Sequence, residues 1–495
     1  MNVKLSKLVI AALASTSLMG FGGLAHADST NDIVNALVMK GVLTEEEGAL
    51  LTKGHSGETA AAKKEKDSAV HSAGKMNIRG YLQVRNTTLD KDARNVNLFS
   101  DRSVSNKYSI KDKDGNFVIR RARVIISGAA GDRLDYYIQP DFASSPSGAS
   151  TNGFHYAQLR DFYGDLNLTK DKVHRIRVGQ SKVPFGFENL QSSQNRLALD
   201  RADAFNSAVR DERDLGAFYY YTPDNIQKLM KEIQDSGLKH SGNYGMFALG
   251  AYNGQGANQQ DQNSNYHTVA RFSYPWKTES GQIYEAGIQG YKGKYVRSQS
   301  AYKRDASQTN SSTYATTPEN GCTAAGCKDE RVGISFMMYP MPFGLQGEWN
   351  WGKTPGLDIS QGANVDVSST AGAQNFSKGR IMNKNLNGGY IQTMYKIDHV
   401  KIGDTDSTVI PFVRWQYFDG YSKAEANAPQ NKINDWELGA EWQIAPEVEL
   451  VAYYHHMNRS NLVTGSNSST TNPSGIADYA RFKADAIRMQ LQYNF

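Results

Sequence analysis

The C-terminal run ARFKADAIRMQLQYNF, Ala480 to Phe495, alternates strictly in polarity from Ile487 onward. Ile487, Met489, Leu491, Tyr493 and Phe495 are apolar, whereas Arg488, Gln490, Gln492 and Asn494 are polar. Successive side chains of a strand point to opposite faces. This strand therefore carries one wholly apolar face and one wholly polar face. A soluble sandwich can use such a strand, and so can a barrel wall with lipid outside and water inside. The other end of the chain separates the two.

Residues 1–27 read as a secretory signal peptide. Lys4 and Lys7 precede an apolar run from Leu8 to Leu24, and Ala25, His26 and Ala27 form an A-x-A cleavage site. The mature chain is then expected to start at Asp28. With such a leader, a last strand ending on Phe495 resembles the closing strand of a Gram-negative outer-membrane β-barrel. There the terminal aromatic serves as an assembly signal.

Residues 28–75 differ in character from the rest of the chain. Ile33, Val34, Leu37 and Val38 share one helical face. Gly41 interrupts it, and Thr44 to Glu47 has capping-box spacing before a second short helix through Leu51. Residues 53–75 are rich in Gly, Ala, Ser, Lys and Glu and read as a linker. The segment is expected to be a short N-terminal helical appendage in the periplasm.

No later stretch offers the roughly 18 apolar residues of a transmembrane helix. Tyr (27) and Gly (45) are abundant, as suits a wall whose residues alternate between lipid and water. The net charge of +5 includes the two leader lysines, so composition gives no case for nucleic acid. Cys322 and Cys327 are the only cysteines, and in an oxidising compartment they are expected to form a local disulfide that pins a loop. The sequence holds no C-x-x-C-H haem motif and suggests neither cofactor nor metal.

From Met76 the pattern is strands to the end, about sixteen from 77–88 to 480–495. They include 116–128, 243–253, 342–352, 386–397, 407–418 and 447–458. Tight connections such as 129–131, 169–172 and 445–446 alternate with long polar ones such as 89–115, 297–328, 353–385 and 459–479. Short periplasmic turns and long external loops mark outer-membrane barrels. The fold class is therefore all-β, a transmembrane antiparallel barrel over residues 76–495. The connection 223–242 breaks the alternation: it should be a periplasmic turn, yet it is long and suggests a helical turn.

Alternation also assigns faces. Val118, Val124 and Ile126 are expected toward lipid, with Arg121 and Arg123 inward. Ile176 and Val178 point out, Arg175 and Arg177 in. Arg133 opposes Leu134, Tyr136 and Ile138. On the far wall Trp436, Leu438, Ala440 and Trp442 face lipid, while Glu437 and Glu441 face inward, followed by Glu449. Arg or Lys on the lipid face at mid-depth costs roughly 2–4 kcal/mol, so their consistent placement implies a wet lumen. Tyr219, Tyr221, Trp349, Trp351, Trp415 and Tyr417 suit interfacial girdles.

The loop after the fifth strand, 183–212, carries Arg196, Arg201 and Arg210 among interleaved carboxylates. It is expected to narrow a channel. Here GQSKVPFGFENL, RLALDRADAF and RDLGAFYY, with the RGYLQVR opening and RRARVIISG, resemble the phosphate-selective porin O and P family. The likeness runs from about Met76 to Phe495. It implies a homotrimer of sixteen-stranded barrels embedded in outer-membrane lipid, with an anion preference set by inward arginines and a lysine cluster. No lysine cluster appears in the loop, where Lys182 stands alone at the edge. The pore-lining candidates are Arg121, Arg123, Arg133, Arg175, Arg177, Arg196, Arg201 and Arg210.

Three function classes are open to such a chain. The first is a passive diffusion porin for small anionic or polar solutes, with weak to moderate anion preference. The second is a non-redox barrel serving as scaffold or sheath in an outer-membrane complex. The third, an enzyme, needs a nucleophile with a neighbouring base; the histidines and serines show no such spacing. A basic wall on strands two to five facing an acidic wall on strands fourteen and fifteen would set up a transverse field.

Overall fold

The structure is a computed structural model. It describes residues 76–495 apart from 91–95, 97, 102–115, 145–155, 297–321, 324, 359–362, 367–374, 377–379, 404, 426–427 and 464–475. The leader and the 28–75 appendage lie outside the described residues.

Sixteen antiparallel strands form the wall. They are β1 (Asn77–Leu89), β2 (Asn116–Ala130), β3 (Leu134–Ser144), β4 (Tyr156–Asn167), β5 (His174–Lys182), β6 (Arg213–Tyr221), β7 (Phe247–Tyr252) and β8 (His267–Lys277). The ring continues with β9 (Ile283–Tyr295), β10 (Cys327–Met338), β11 (Phe343–Asp358), β12 (Arg380–Tyr395), β13 (Thr405–Tyr421), β14 (Gln430–Ala445), β15 (Val448–Val463) and β16 (Ile476–Asn494). Three shorter pieces, Ala363–Asp366, Asn375–Phe376 and Ile397–Ile402, extend its ends.

Each strand pairs with the next, and β1 pairs with β16 from Tyr81↔Asn494 to Leu89↔Ala486. Closure removes the free edges that lipid could not satisfy. The final rung is reciprocal: Gly80 N–H donates to Phe495 O at 2.7 Å, and Phe495 N–H donates to Gly80 O at 3.0 Å. A Cβ on Gly80 would lie 2.5 Å from the Phe495 ring and 2.4 Å from Arg123 O. Gly80→Val should therefore weaken closure by about 1–3 kcal/mol. A lower temperature of conversion from the folded to the unfolded band on SDS gels would register it.

Faces follow the pleat. On β14, Trp436 is 52% exposed whereas its neighbour Glu437 is 4% exposed. Trp349, Trp415 and Tyr417 stack on one another on the outside, with centroids 5.9–6.2 Å apart. One face assignment fails. Phe117 and Ile119 are the outward residues at the start of β2, while Val118 pairs with inward Arg85. A register shift between Gln83 and Val84 inserts an extra residue, Arg120, and moves the phase by one. Beyond it Arg121, Arg123 and Ile125 face inward.

Arg133 is also corrected. It lies in the exposed turn between β2 and β3 and donates to Leu168 O at 2.7 Å in the neighbouring turn. It does not line the lumen. β7 begins at Phe247, four residues later than expected, because the preceding residues turn into the barrel. β11 and β12 run further beyond the bilayer than the sequence suggested.

The lumen is largely filled. Loop 183–212 folds inside, and its Phe185, Ala202, Ala204 and Phe205 form a core with inward Tyr291, Tyr390 and Phe418. A second core joins Phe187, Leu197 and Leu199 to Tyr339, Met394, Phe412 and Tyr453. Cys322 and Cys327 are bonded, with Cα atoms 4.1 Å apart.

Candidate functional site in the barrel lumen

Loop 183–212 leaves and rejoins the wall at one point, where Val183 N–H donates to Glu212 O at 3.0 Å. Gly186 turns the chain inward at φ +84°, and a Cβ there would lie 2.6 Å from the Phe205 ring. One short helix comes next, α1 (Phe187–Leu190), and another, α2 (Asp203–Asn206), lies further on. The first two N–H groups of α1 donate to the Glu348 carboxylate on β11, at 2.5 and 2.8 Å.

Three of the loop's carboxylates are spent on arginines of distant strands, whereas Glu212 stays with Arg201 and Arg213. Glu188 takes both Nη groups of Arg414, at 2.8 and 3.0 Å. Asp203 takes Arg459 Nη1 at 2.7 Å. Asp200 accepts from Arg85 and Arg488, at 3.0 and 2.7 Å. Arg331 donates to Ala204 O and Ser207 O. Burial alone would raise the Asp200 carboxyl; Arg85 and Arg488 outweigh it and hold it well below the usual range. Sequence reasoning missed these wall arginines. Arg85, Arg331, Arg414 and Arg488 sit at inward phases of expected strands and Arg459 one residue past the expected end of 447–458, so alternation could have found them, but not their partners more than a hundred positions away.

The expected acidic wall is partly neutralised: Lys239 stands 2.6 Å from Glu441 and 3.7 Å from Glu449, and the neighbouring Asp435 pairs with Arg459 and His455. Glu437 accepts from Gln416 at 3.1 Å and, among the described residues, has no cation within 4 Å.

On the opposite side the arginines are less fully neutralised. Arg123 pairs with Asp141 at 2.7 Å, and Arg177 takes Asp165 in a fork at 2.7 and 2.8 Å. Arg175 is shared with the same Asp165 at 3.8 Å. In the loop, Arg201 meets Glu212, and Arg210 stands half-buried 3.9 Å from Asp211. Burial, reinforced by Arg196, pulls Arg201 below its ordinary value.

Arg121 and Arg196 are different. Both are buried, and among the described residues neither has a carboxylate within 4 Å. Arg121 donates to Gln83 Oε1 at 2.8 Å and Arg196 to Leu199 O at 3.2 Å. Among the described residues, Arg121 Nε and Arg196 Nε and Nη1 have no hydrogen-bond partner. Burial lowers Arg196, with nearby carboxylates offsetting only part of the cost. Arg85, Arg120, Arg123 and Arg196 all lie within Coulombic range of Arg121.

Beside this pair lies a cavity of about 250 Å³, bounded by Arg79, Arg123, Arg177, Lys182 and Arg213. Among the described residues, Asp161 is the single carboxylate on its lining. Ser193, at the tip of the loop, joins the cavity to the unpaired arginines. Its Oγ is 2.6 Å from Tyr81 Oη and accepts from Arg123 Nη1, while its carbonyl accepts from Gln83 Nε2. Arg121 and Arg123 are roughly 7 Å apart along the strand. Successive cations therefore stand along this strand.

Among solved structures the chain is similar to the outer-membrane protein OmpT of Vibrio cholerae (11% identity, TM-score 0.45, covering 86% of this chain and 98% of that one). It is also similar to an anion-selective porin from Comamonas acidovorans (10%, 0.44, 85% and 99%) and to OprB of Pseudomonas putida (9%, 0.42, 89% and 97%). Likenesses this remote carry no argument about function. No curated relative matches the chain. The profile of phosphate-selective porin O and P matches residues 95–495. That match takes in every strand of the wall but the first, and the chain therefore belongs to the phosphate-selective porin O and P family of outer-membrane porins.

Proposed function

We propose that the chain is a passive diffusion channel for small hydrophilic solutes and ions with a weak to moderate anion preference, phosphate among the anions. The observation that carries this reading is the cavity with five cations against one carboxylate among the described residues, next to two buried arginines without acidic partners. A predominance of one charge sign along a pore selects the opposite ion. Most lumenal arginines, Arg123, Arg177 and Arg213 of the cavity included, are paired with carboxylates, which argues against strong selectivity.

Homotrimer assembly is expected from the family, and a native-mass spectrum showing only monomers would remove it. A sheath around a protein partner needs an open lumen, whereas this lumen is occupied by the chain's own loop. Catalysis has little support. Buried His267 and His455 each face an aspartate, at 3.1 and 3.0 Å, and among the described residues their other ring nitrogens have no partner. A nucleophile–base pair would need one there.

The test is the reversal potential of the purified protein in a planar bilayer under a KCl gradient, with phosphate then titrated in. The expected result is a potential on the chloride side and a current that falls as phosphate is added. A potential at zero with no block would leave a general porin with the family's fold and no anion filter.

A further inference from the structure

The connection between β6 and β7, residues 222–246, belongs to the periplasmic end, where turns are otherwise short. It opens with helix α3 (Asp224–Asp235). Ile226 and Ile233 are its buried residues, and Ile233 shares a core with Leu238, Ile283 and Tyr339. Its opposite face carries Lys228, Lys231 and Asp235 in exposed pairs. Lys277 on β8 holds Glu232 at 2.6 Å. An amphipathic helix is thus seated across part of the barrel end.

After Gly237 (φ +65°) the chain enters the lumen. Lys239 is 5% exposed, with Nζ 2.6 Å from Glu441 Oε1 and 3.7 Å from Glu449 Oε2. Those glutamates stand on β14 and β15, eight strands around the ring from β6 and β7. The segment therefore reaches the diametrically opposite wall. Burial would lower Lys239, but Glu441 and Glu449 outweigh it and keep it charged. On the way back Asn243 O accepts from Arg175, and Gly245 O accepts from Arg271 Nη1 at 3.2 Å. Gln191 of loop 183–212 donates its Nε2 to Lys239 O at 3.0 Å. The arginine-rich cavity is enclosed between loop residues Ser192–Asn195 and strap residues His240–Tyr244.

We propose that residues 236–246 form a second constriction, a strap drawn across the lumen from the periplasmic side and latched to the far wall by Lys239 on Glu441 and Glu449. A small anion leaving the cavity then passes between this strap and the tip of loop 183–212, so both segments set size and selectivity. The strap's hold is electrostatic at one end and made of backbone carbonyls at the other. It can therefore be unlatched without breaking the wall. This inference rests on the reading of the chain as a conducting pore.

The experiment compares single-channel currents of full-length wild type, Lys239→Glu, Glu441→Lys and the double charge swap, each checked for folding by its SDS mobility. Lys239→Glu sets three carboxylates together and should raise conductance at least twofold with added open-channel noise. The swap should bring it most of the way back. In His240→Cys, a positively charged thiol reagent should shift the current in one step, because Cys322 and Cys327 are bonded to each other. A wild-type-like current from folded Lys239→Glu, or a silent label on His240→Cys, overturns the strap while leaving the pore reading intact. A wild-type protein that passes no current overturns both.

Discussion

Arg414→Ala should loosen loop 183–212 from the far wall and raise single-channel conductance severalfold while the barrel stays folded. Arg414 donates through both Nη groups to Glu188, and its guanidinium lies 4.4 Å from the Tyr390 ring centre. Both charged groups are buried. Removing the arginine leaves Glu188 without its fork in a dry site, a loss of about 3–5 kcal/mol for a broken buried pair. Glu188 is also the acceptor for Ala202 N–H, so the two halves of the loop are tied through the same carboxylate. The wall does not depend on this contact, because its ladder closes through β1 and β16. The double variant Glu188→Gln with Arg414→Gln removes both charges and should recover much of the wild-type current. Equal noise in the single and double variants would show that the ion pair does not hold the loop.

The same contact marks how far sequence alone could see. The barrel was legible because lipid and water impose a period of two on every strand. Strands such as 407–418 and 447–458 therefore fell close to β13 and β15. The phase was legible until a bulge intervened. Val118 looked like a lipid-facing residue because nothing in RRARV announces that Arg120 is the extra residue. Arg133 failed for a related reason. Counting back from Leu134 extends the strand into what is a tight turn, where the guanidinium caps carbonyls instead of meeting solute.

The lumenal side was harder. Alternation shows that Arg414, Glu437 or Arg459 faces inward, but it cannot say that Glu188 or Asp203 will arrive from a loop more than two hundred residues earlier. Charges counted along a strand thus overstated the field: Glu441 looked like part of an acidic wall until Lys239 reached it from a periplasmic connection. The length of 223–242 was the one signal that something enters from that side.

Which arginines bind solute, as opposed to merely shaping the field, can be separated by charge-conserving substitution. Under the anion-channel reading, Arg121→Lys and Arg196→Lys should leave the reversal potential near wild type, since net charge is unchanged. Both should nevertheless weaken phosphate block by about tenfold or more. The reason is donor availability. Among the described residues, Arg121 Nε and Arg196 Nε and Nη1 are buried with no partner, and an unmade buried hydrogen bond costs about 1–3 kcal/mol. An oxyanion that reaches them recovers that cost in charge-assisted bonds, and a lysine cannot reproduce the fork. Arg201 provides the contrast. Its Nε donates to Glu188 O, its Nη1 to Glu212 and its Nη2 to Gln191 O. Arg201→Lys should therefore change the block less than about threefold, and its cost should appear in loop noise instead. If Arg201→Lys weakens the block as much as Arg196→Lys does, solute is bound by overall charge and not by free donors.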